Sequence, residues 1–148
     1  MTDELVSNQQ GLVVKLEENA MDSLVHGVEH HIYGRRKTDW KYVILHVFHA
    51  VELFLKARLV KHDEVLIYRN RKNGNTVSSD EAVDLLVREV KLSSLFRYAE
   101  RQESGKYRLG GELDALRKAR NAIEHKEVAL KPDEVKNFLG CFPRHLCV

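Results

Sequence analysis

From Trp40 to about Lys61, apolar side chains recur at three- and four-residue spacing without a break, and no other feature constrains the fold as strongly. Trp40, Val43, Ile44, Val47, Val51, Phe54 and Leu55 make one wide apolar face, and Leu45, Ala50 and Leu53 spread beyond it. A helix that is apolar around most of its circumference must be wrapped by other elements. This segment is therefore predicted to be the most buried helix of the molecule.

The flanking pattern supplies the wrapping. Residues 9–33 carry Val13, Leu16, Ala20, Leu24 and Val28 at helical spacing, with Glu17, Glu18, Asn19 and His26 mostly outside that stripe, which predicts an amphipathic helix. Gly34 and a basic run end it, and Thr38 or Asp39 offers a side-chain oxygen to cap the next helix. After residue 62, Val65-Leu66-Ile67-Tyr68 favours strand and Lys72-Asn73-Gly74-Asn75 favours a turn, so a long loop or small hairpin is expected. Ser78 followed by Glu81 matches a capping box for a third helix to about Val90, and Ser93 or Ser94 could cap a short fourth. "RQESGKYRLGG" reads as a loop, Glu112 to about Val128 as a fifth helix, and Pro132 opens a last one that Pro143 ends. The expected fold is all-α, an up-and-down bundle of about five to six helices in a single domain over residues 1–148.

A chain of 148 residues suffices for one sizeable core. Its 43% apolar and 31% charged residues are those of a soluble globular protein, and no apolar run nears the roughly 20 residues of a membrane span. No membrane partner is expected, and "MTDELVSNQQ" lacks a basic-then-apolar leader, so the cytoplasm is the expected compartment. Cys141 and Cys147 match neither a disulfide framework nor a zinc site. A net charge of +2 does not announce nucleic acid, so any such binding must rest on local clusters: Arg35-Arg36-Lys37, Arg69-Asn70-Arg71-Lys72 and Arg117-Lys118-Ala119-Arg120. No phosphate-cradling glycine loop or nucleophile elbow is present, which disfavours ATP-driven and acyl-transfer chemistry.

The candidate site is "RKARNAIEHKE" in the fifth helix. At about 100° per residue, Arg120 falls among Leu113, Leu116 and Ile123, a costly place for a guanidinium. Asn121 and His125, four apart, share a face, whereas Arg120 and His125 diverge by roughly 140°. Two copies of the helix about a two-fold axis could bring both to one cleft, and Ala115, Ala119 and Ala122 form a small-residue strip where a second helix could approach. The basic run, Arg117 and Lys118 included, would then be doubled into a positive cleft able to hold RNA.

"RNAIEH" resembles the Arg-x4-His signature of the HEPN family (higher eukaryotes and prokaryotes nucleotide-binding domains), and "HAVELFLKARL" ahead of a long loop resembles the same family. The resemblance implies a metal-independent endoribonuclease acting as a homodimer, a toxin or antiviral effector, with RNA as substrate and an antitoxin or regulatory protein as partner. It implies Arg120, Asn121 and His125 as the catalytic set, with no cofactor and no metal. The chemistry suits the residues: a histidine with an ordinary pKa of about 6.5 can exchange a proton with a ribose hydroxyl, and an arginine can hold a phosphate with paired hydrogen bonds. Glu52, on a polar strip with His49 and Lys56, is a candidate partner of Arg120, and Glu124 is another. A second reading stands beside this one. Arg120 and Glu124 are four apart and can simply pair, His125 can be an exposed residue at a helix end, and the domain would then be a catalytically silent module binding RNA or a protein. His26 and His30, and His46 and His49 with Glu52, have spacings that can bind zinc, but neither group has a further ligand nearby in sequence, so they read as surface histidines.

Overall fold

Helix α2, Thr38–His62, is the spine of the molecule. In the computed structural model, which describes residues 15–70, 72–126, 129 and 131–140, it buries the predicted Val43, Ile44, Val47, Val51, Phe54 and Leu55, and Phe48 and Leu59 as well. The expected all-α architecture holds: the described residues are mainly helical, with two short antiparallel hairpins. No described helix is long and apolar enough to cross a membrane.

Helix α1, Leu16–Tyr33, lies along α2 on a face turned only in part from the stripe that its apolar spacing suggests: Ala20 of that stripe is buried and Leu16 and Leu24 pack against the core, but Val28 does not. Its buried residues are the small ones, Ala20, Ser23 and Gly27. The reason is proximity: a Cβ at Gly27 would stand 3.0 Å from Val47 Cγ2 and 3.4 Å from the Cβ of His46, so the two helices touch where large side chains cannot fit. Leu16 and Leu24 close the edge of this contact and Val28 stays half-exposed. Residues 9–14 of the predicted helix, Val13 among them, lie outside the described residues. At the turn between the helices, Thr38 begins α2 without a side-chain cap, and Asp39 bonds backwards instead. Its carboxylate accepts the Arg36 N–H at 2.9 Å and lies 3.1 Å from His30 Nδ1, and these two contacts hold the carboxyl below its usual range.

The stretch after α2 does form a small hairpin, but of the β-favouring run only Tyr68 lies in a strand: Glu64–Ile67 is a 3-10 turn, after which β1, Tyr68–Asn70, pairs with β2, Asn75–Thr76. Helix α3, Ser79–Arg88, starts where the capping box placed it, with Ser78 Oγ accepting the Glu81 N–H at 3.2 Å. The predicted fourth helix is a 3-10 segment, Ser93–Tyr98, in which neither serine caps, and the following loop is instead a second hairpin. Strand β3, Ala99–Arg101, pairs with β4, Tyr107–Leu109, in the register Ala99 to Leu109 and Arg101 to Tyr107.

Two aspartates of α3 fix that hairpin. Asp84 accepts the Tyr107 N–H at 2.9 Å and hydrogen bonds from Arg88 Nε and Nη2, each at 2.8 Å, and Asp80 accepts the Leu109 N–H at 2.8 Å. A backbone donor bonded to an ionised carboxylate is among the stronger hydrogen bonds available. The hairpin in turn delivers the chain to helix α4, Gly111–His125, through a tight Gly110-Gly111 turn in which Gly111 has φ +56°, a conformation that glycine adopts without a steric cost. Helix α4 lies on α2 and is shorter than expected: the chain turns extended at Lys126, and residues 127 and 128 lie outside the described set. Helix α5, Pro132–Gly140, completes the bundle and also contacts α2. Cys141, Pro143 and Cys147 lie outside the described residues.

Candidate site on helix α4

The guanidinium of Arg120 lies against α2, with 26% of the side chain exposed. Its Nη1 donates to Glu124 Oε2 at 2.9 Å along its own helix, and its Nη2 reaches Glu52 Oε1 on α2 at 3.5 Å. The planar group also stands over the Phe48 ring, 4.8 Å from the centroid. A cation at this otherwise apolar position is thus tolerated for two reasons: two carboxylates offset its charge, and an aromatic face lies under it. Both carboxylates suggested by the sequence meet Arg120.

Asn121 and His125 lie on the other side of α4. Both are exposed, His125 at 73%, and among the described residues Asn121 makes no side-chain hydrogen bond. The nearest partner of the imidazole is Glu124 Oε2, 3.9 Å from Nε2, so one carboxylate stands between the arginine and the histidine. Within a single copy Arg120 and His125 point apart, as their spacing requires. Lys118, Asn121, Ala122 and His125 recur at three- and four-residue spacing and form one stripe of α4, exposed except at the half-buried Ala122.

The basic run is not uniformly free. Arg117 is mostly buried: its Nη1 lies 2.6 Å from both oxygens of Asp80, and its Nη2 bonds Asp114. It ties α4 to α3 and to the second hairpin. Lys118 is exposed and reaches the other Asp114 oxygen at 3.0 Å. Burial pushes the Asp114 carboxyl up, but the Lys118 and Arg117 charges outweigh it and the net shift is downward. In the remaining clusters, Arg69 pairs with Glu81, whereas the Arg35, Arg36 and Lys37 side chains form no ion pair among the described residues. Of the alanine strip, Ala119 and Ala122 are half-buried, and Ala115 is exposed in a hollow shared with Lys136, Asn137 and Phe138 of α5.

Spacing along single helices does not reveal one cluster. His26 and His30 of α1 face His46 of α2, with ring centroids 5.7 and 5.5 Å apart, and Tyr42 stacks on His30 at 5.1 Å. The histidines that read as separate surface residues therefore form one group across two helices. Burial, and then the neighbouring His30, His26 and His49, hold the His46 imidazole below its ordinary pKa against a small opposing effect of Asp22. Among the described residues no three His, Cys, Asp or Glu side chains are arranged to hold a metal ion.

What the fold and the site define is a helical bundle with a restrained arginine, flanked by carboxylates, beside an open asparagine and histidine. Compared with family models, with curated proteins and with solved structures, the chain finds no match.

Proposed function

We propose that the protein is a metal-independent endoribonuclease of the HEPN type, acting as a homodimer in which two copies of α4 line one cleft. The observation that carries this reading is the pair of faces on α4: Arg120 held in place by Glu52 and Phe48, and a neighbouring stripe on which Asn121 and His125 are free to meet a ligand. In the reaction, His125 of one copy takes the proton of a ribose 2′-hydroxyl, whose oxygen attacks the adjacent phosphorus. The bond to the 5′-oxygen breaks, that oxygen is protonated by the histidine of the other copy, and a 2′,3′-cyclic phosphate remains. Arg120 offsets the extra negative charge of the pentacovalent transition state, exchanging a carboxylate for phosphate oxygens. Asn121, one turn from His125, orients the imidazole or a phosphate oxygen. Lys118 adds charge at the mouth, whereas Arg117, bound by Asp80 and Asp114, acts as a brace. The wider setting is a toxin or antiviral effector of the cytoplasm, held in check by an antitoxin or regulatory protein.

A second reading is favoured by one observation: Glu52, Glu124 and Phe48 already account for Arg120 in structural terms. On that reading the domain is a silent module that binds RNA or a protein. Incubating the purified protein with mixed RNA in EDTA separates the two. Cleavage leaving cyclic phosphate ends, abolished in His125→Ala, is the expected result. RNA binding without cleavage over broad substrates would overturn the nuclease and leave the binding module.

A further inference from the structure

Helix α1 inverts the usual order of burial. Its small residues face α2, while Met21, Val25 and Ile32 are 44%, 45% and 61% exposed and Val28 is half-exposed. On the helical wheel these four form a stripe about 130° from the Ala20-Ser23-Gly27 face, and so point away from the bundle. Single exposed hydrophobics are ordinary, but four branched or long ones aligned over three turns are not.

The spacing of the stripe is four, three, four, which reads the same in both directions. An antiparallel two-fold pairing therefore sets Met21 opposite Ile32 of a second copy, and Val25 opposite Val28 of that copy, with no apolar side chain left over. The charges follow the same symmetry. Glu17 and Glu18 stand at one end of the stripe, Arg35, Arg36 and Lys37 just beyond the other, and among the described residues none of these side chains forms an ion pair within the chain. Antiparallel pairing brings the acidic end of each copy to the basic end of the other, while parallel pairing would set like charges together.

We infer that α1 is a self-association face, pairing antiparallel with α1 of a second copy through Met21, Val25, Val28 and Ile32. The face is separate from the proposed site: α1 meets α2 at Val43, His46 and Val47, whereas Arg120 meets it at Phe48 and Glu52, on another side of that helix. The pairing therefore stands whether or not the protein cuts RNA. A pair of helices of this length is smaller than a standard interface, so the association is of moderate strength, with a dissociation constant on the order of 10 µM.

Sedimentation velocity over a concentration series, with the full chain, tests it. Val25→Glu combined with Val28→Glu should weaken association at least about tenfold, a loss of ~1.4 kcal/mol, with an unchanged melting temperature at dilutions where both proteins are monomeric, because neither side chain belongs to the core. Reversing the acidic end (Glu17→Lys, Glu18→Lys) or the basic end (Arg35→Glu, Arg36→Glu) should each weaken it, and the four changes together should restore it. A partner of any other kind predicts no such rescue. To keep a pairing through α4 from imitating the result, Met21→Cys with Ile32→Cys, in a Cys141→Ser, Cys147→Ser background, should give a disulfide-linked dimer on mild oxidation. A chain that stays monomeric at about 100 µM, charge reversals without rescue, or no cross-link would each overturn the inference.

Discussion

Replacing Arg120 by methionine separates its structural role from its chemical one. The cation over the Phe48 ring at 4.8 Å contributes about 0.5–2 kcal/mol. The Glu124 pair is solvent-screened and worth about 0.3–0.5 kcal/mol, and the longer Glu52 contact at most about 1 kcal/mol. Methionine refills the space over the ring and recovers part of this through its sulfur. Both carboxylates are partly solvated, at 29% and 42% exposure, so neither becomes a buried orphan charge. The net cost is therefore about 1–2 kcal/mol, or roughly 2–8 °C in melting temperature for a chain of this size. If Arg120 stabilises the phosphorane, cleavage should fall at least 100-fold over the same substitution. Calorimetry beside the EDTA cleavage assay reads both quantities on one preparation. A melting temperature lowered by more than about 15 °C would make the arginine a keystone of the fold and the lost activity uninformative. Cleavage within about threefold of the wild type would remove it from the mechanism.

Three further outcomes follow from the geometry. Glu124→Gln removes the carboxylate between Arg120 and His125, so it should tighten RNA binding severalfold in fluorescence anisotropy with little change in stability; weaker binding would contradict the competition between carboxylate and phosphate. Asp84→Ala strands the Tyr107 N–H and should cost about 2–4 kcal/mol by urea unfolding, and a loss under about 1 kcal/mol would show that the second hairpin does not depend on it. The His46 imidazole has a lower pKa folded than unfolded, so its contribution to stability is complete above about pH 6.5 and is lost as pH falls from there through the folded value. Melting temperature should accordingly decline from pH 7 towards pH 5, and His46→Gln should flatten the decline; an unchanged slope would place the sensitivity elsewhere.

The parts of this fold that could be read from the sequence are those set by local rules. Helix α2 was legible because its apolar residues are dense enough to demand burial on several sides. The start of α3 was legible because Ser78 and the Glu81 N–H lie three residues apart. The inner face of α1 was legible only in part: Leu16, Ala20 and Leu24 of its apolar stripe do pack inward, but Ser23 and Gly27 carry no apolar signal, and the distance between α1 and α2 is set by Gly27 against Val47. The second hairpin was missed for a different reason. Its strands are three residues long, and the carboxylates that hold it, Asp80 and Asp84, come from a helix more than twenty residues earlier. Of the site, the Arg120–Glu52 contact was legible from the polar strip on α2, and the divergence of Arg120 and His125 from the pitch of α4. The grouping of His26 and His30 with His46 needs two helices and has no signature on either one.

Glu52 and Glu124 hold the same guanidinium, but with different consequences for a ligand. Glu52 projects from the spine helix on the side of Phe48, over whose ring the Arg120 guanidinium stands, and its 3.5 Å contact tethers the arginine to α2 at the cost of two partly buried charges. Glu124 is on the same helix as the arginine, more exposed, and its pair is of the weak, screened kind. On the proposed mechanism a phosphate approaching from the open stripe of α4 would meet Glu124 first, and displacing it would cost little because water solvates the released carboxylate. That carboxylate lies 3.9 Å from His125, so on the proposed mechanism its release would leave a negative charge beside the imidazole that takes up the ribose proton. On that mechanism Arg120 would keep its contact with Glu52 while its outer donors pass from carboxylate to phosphate.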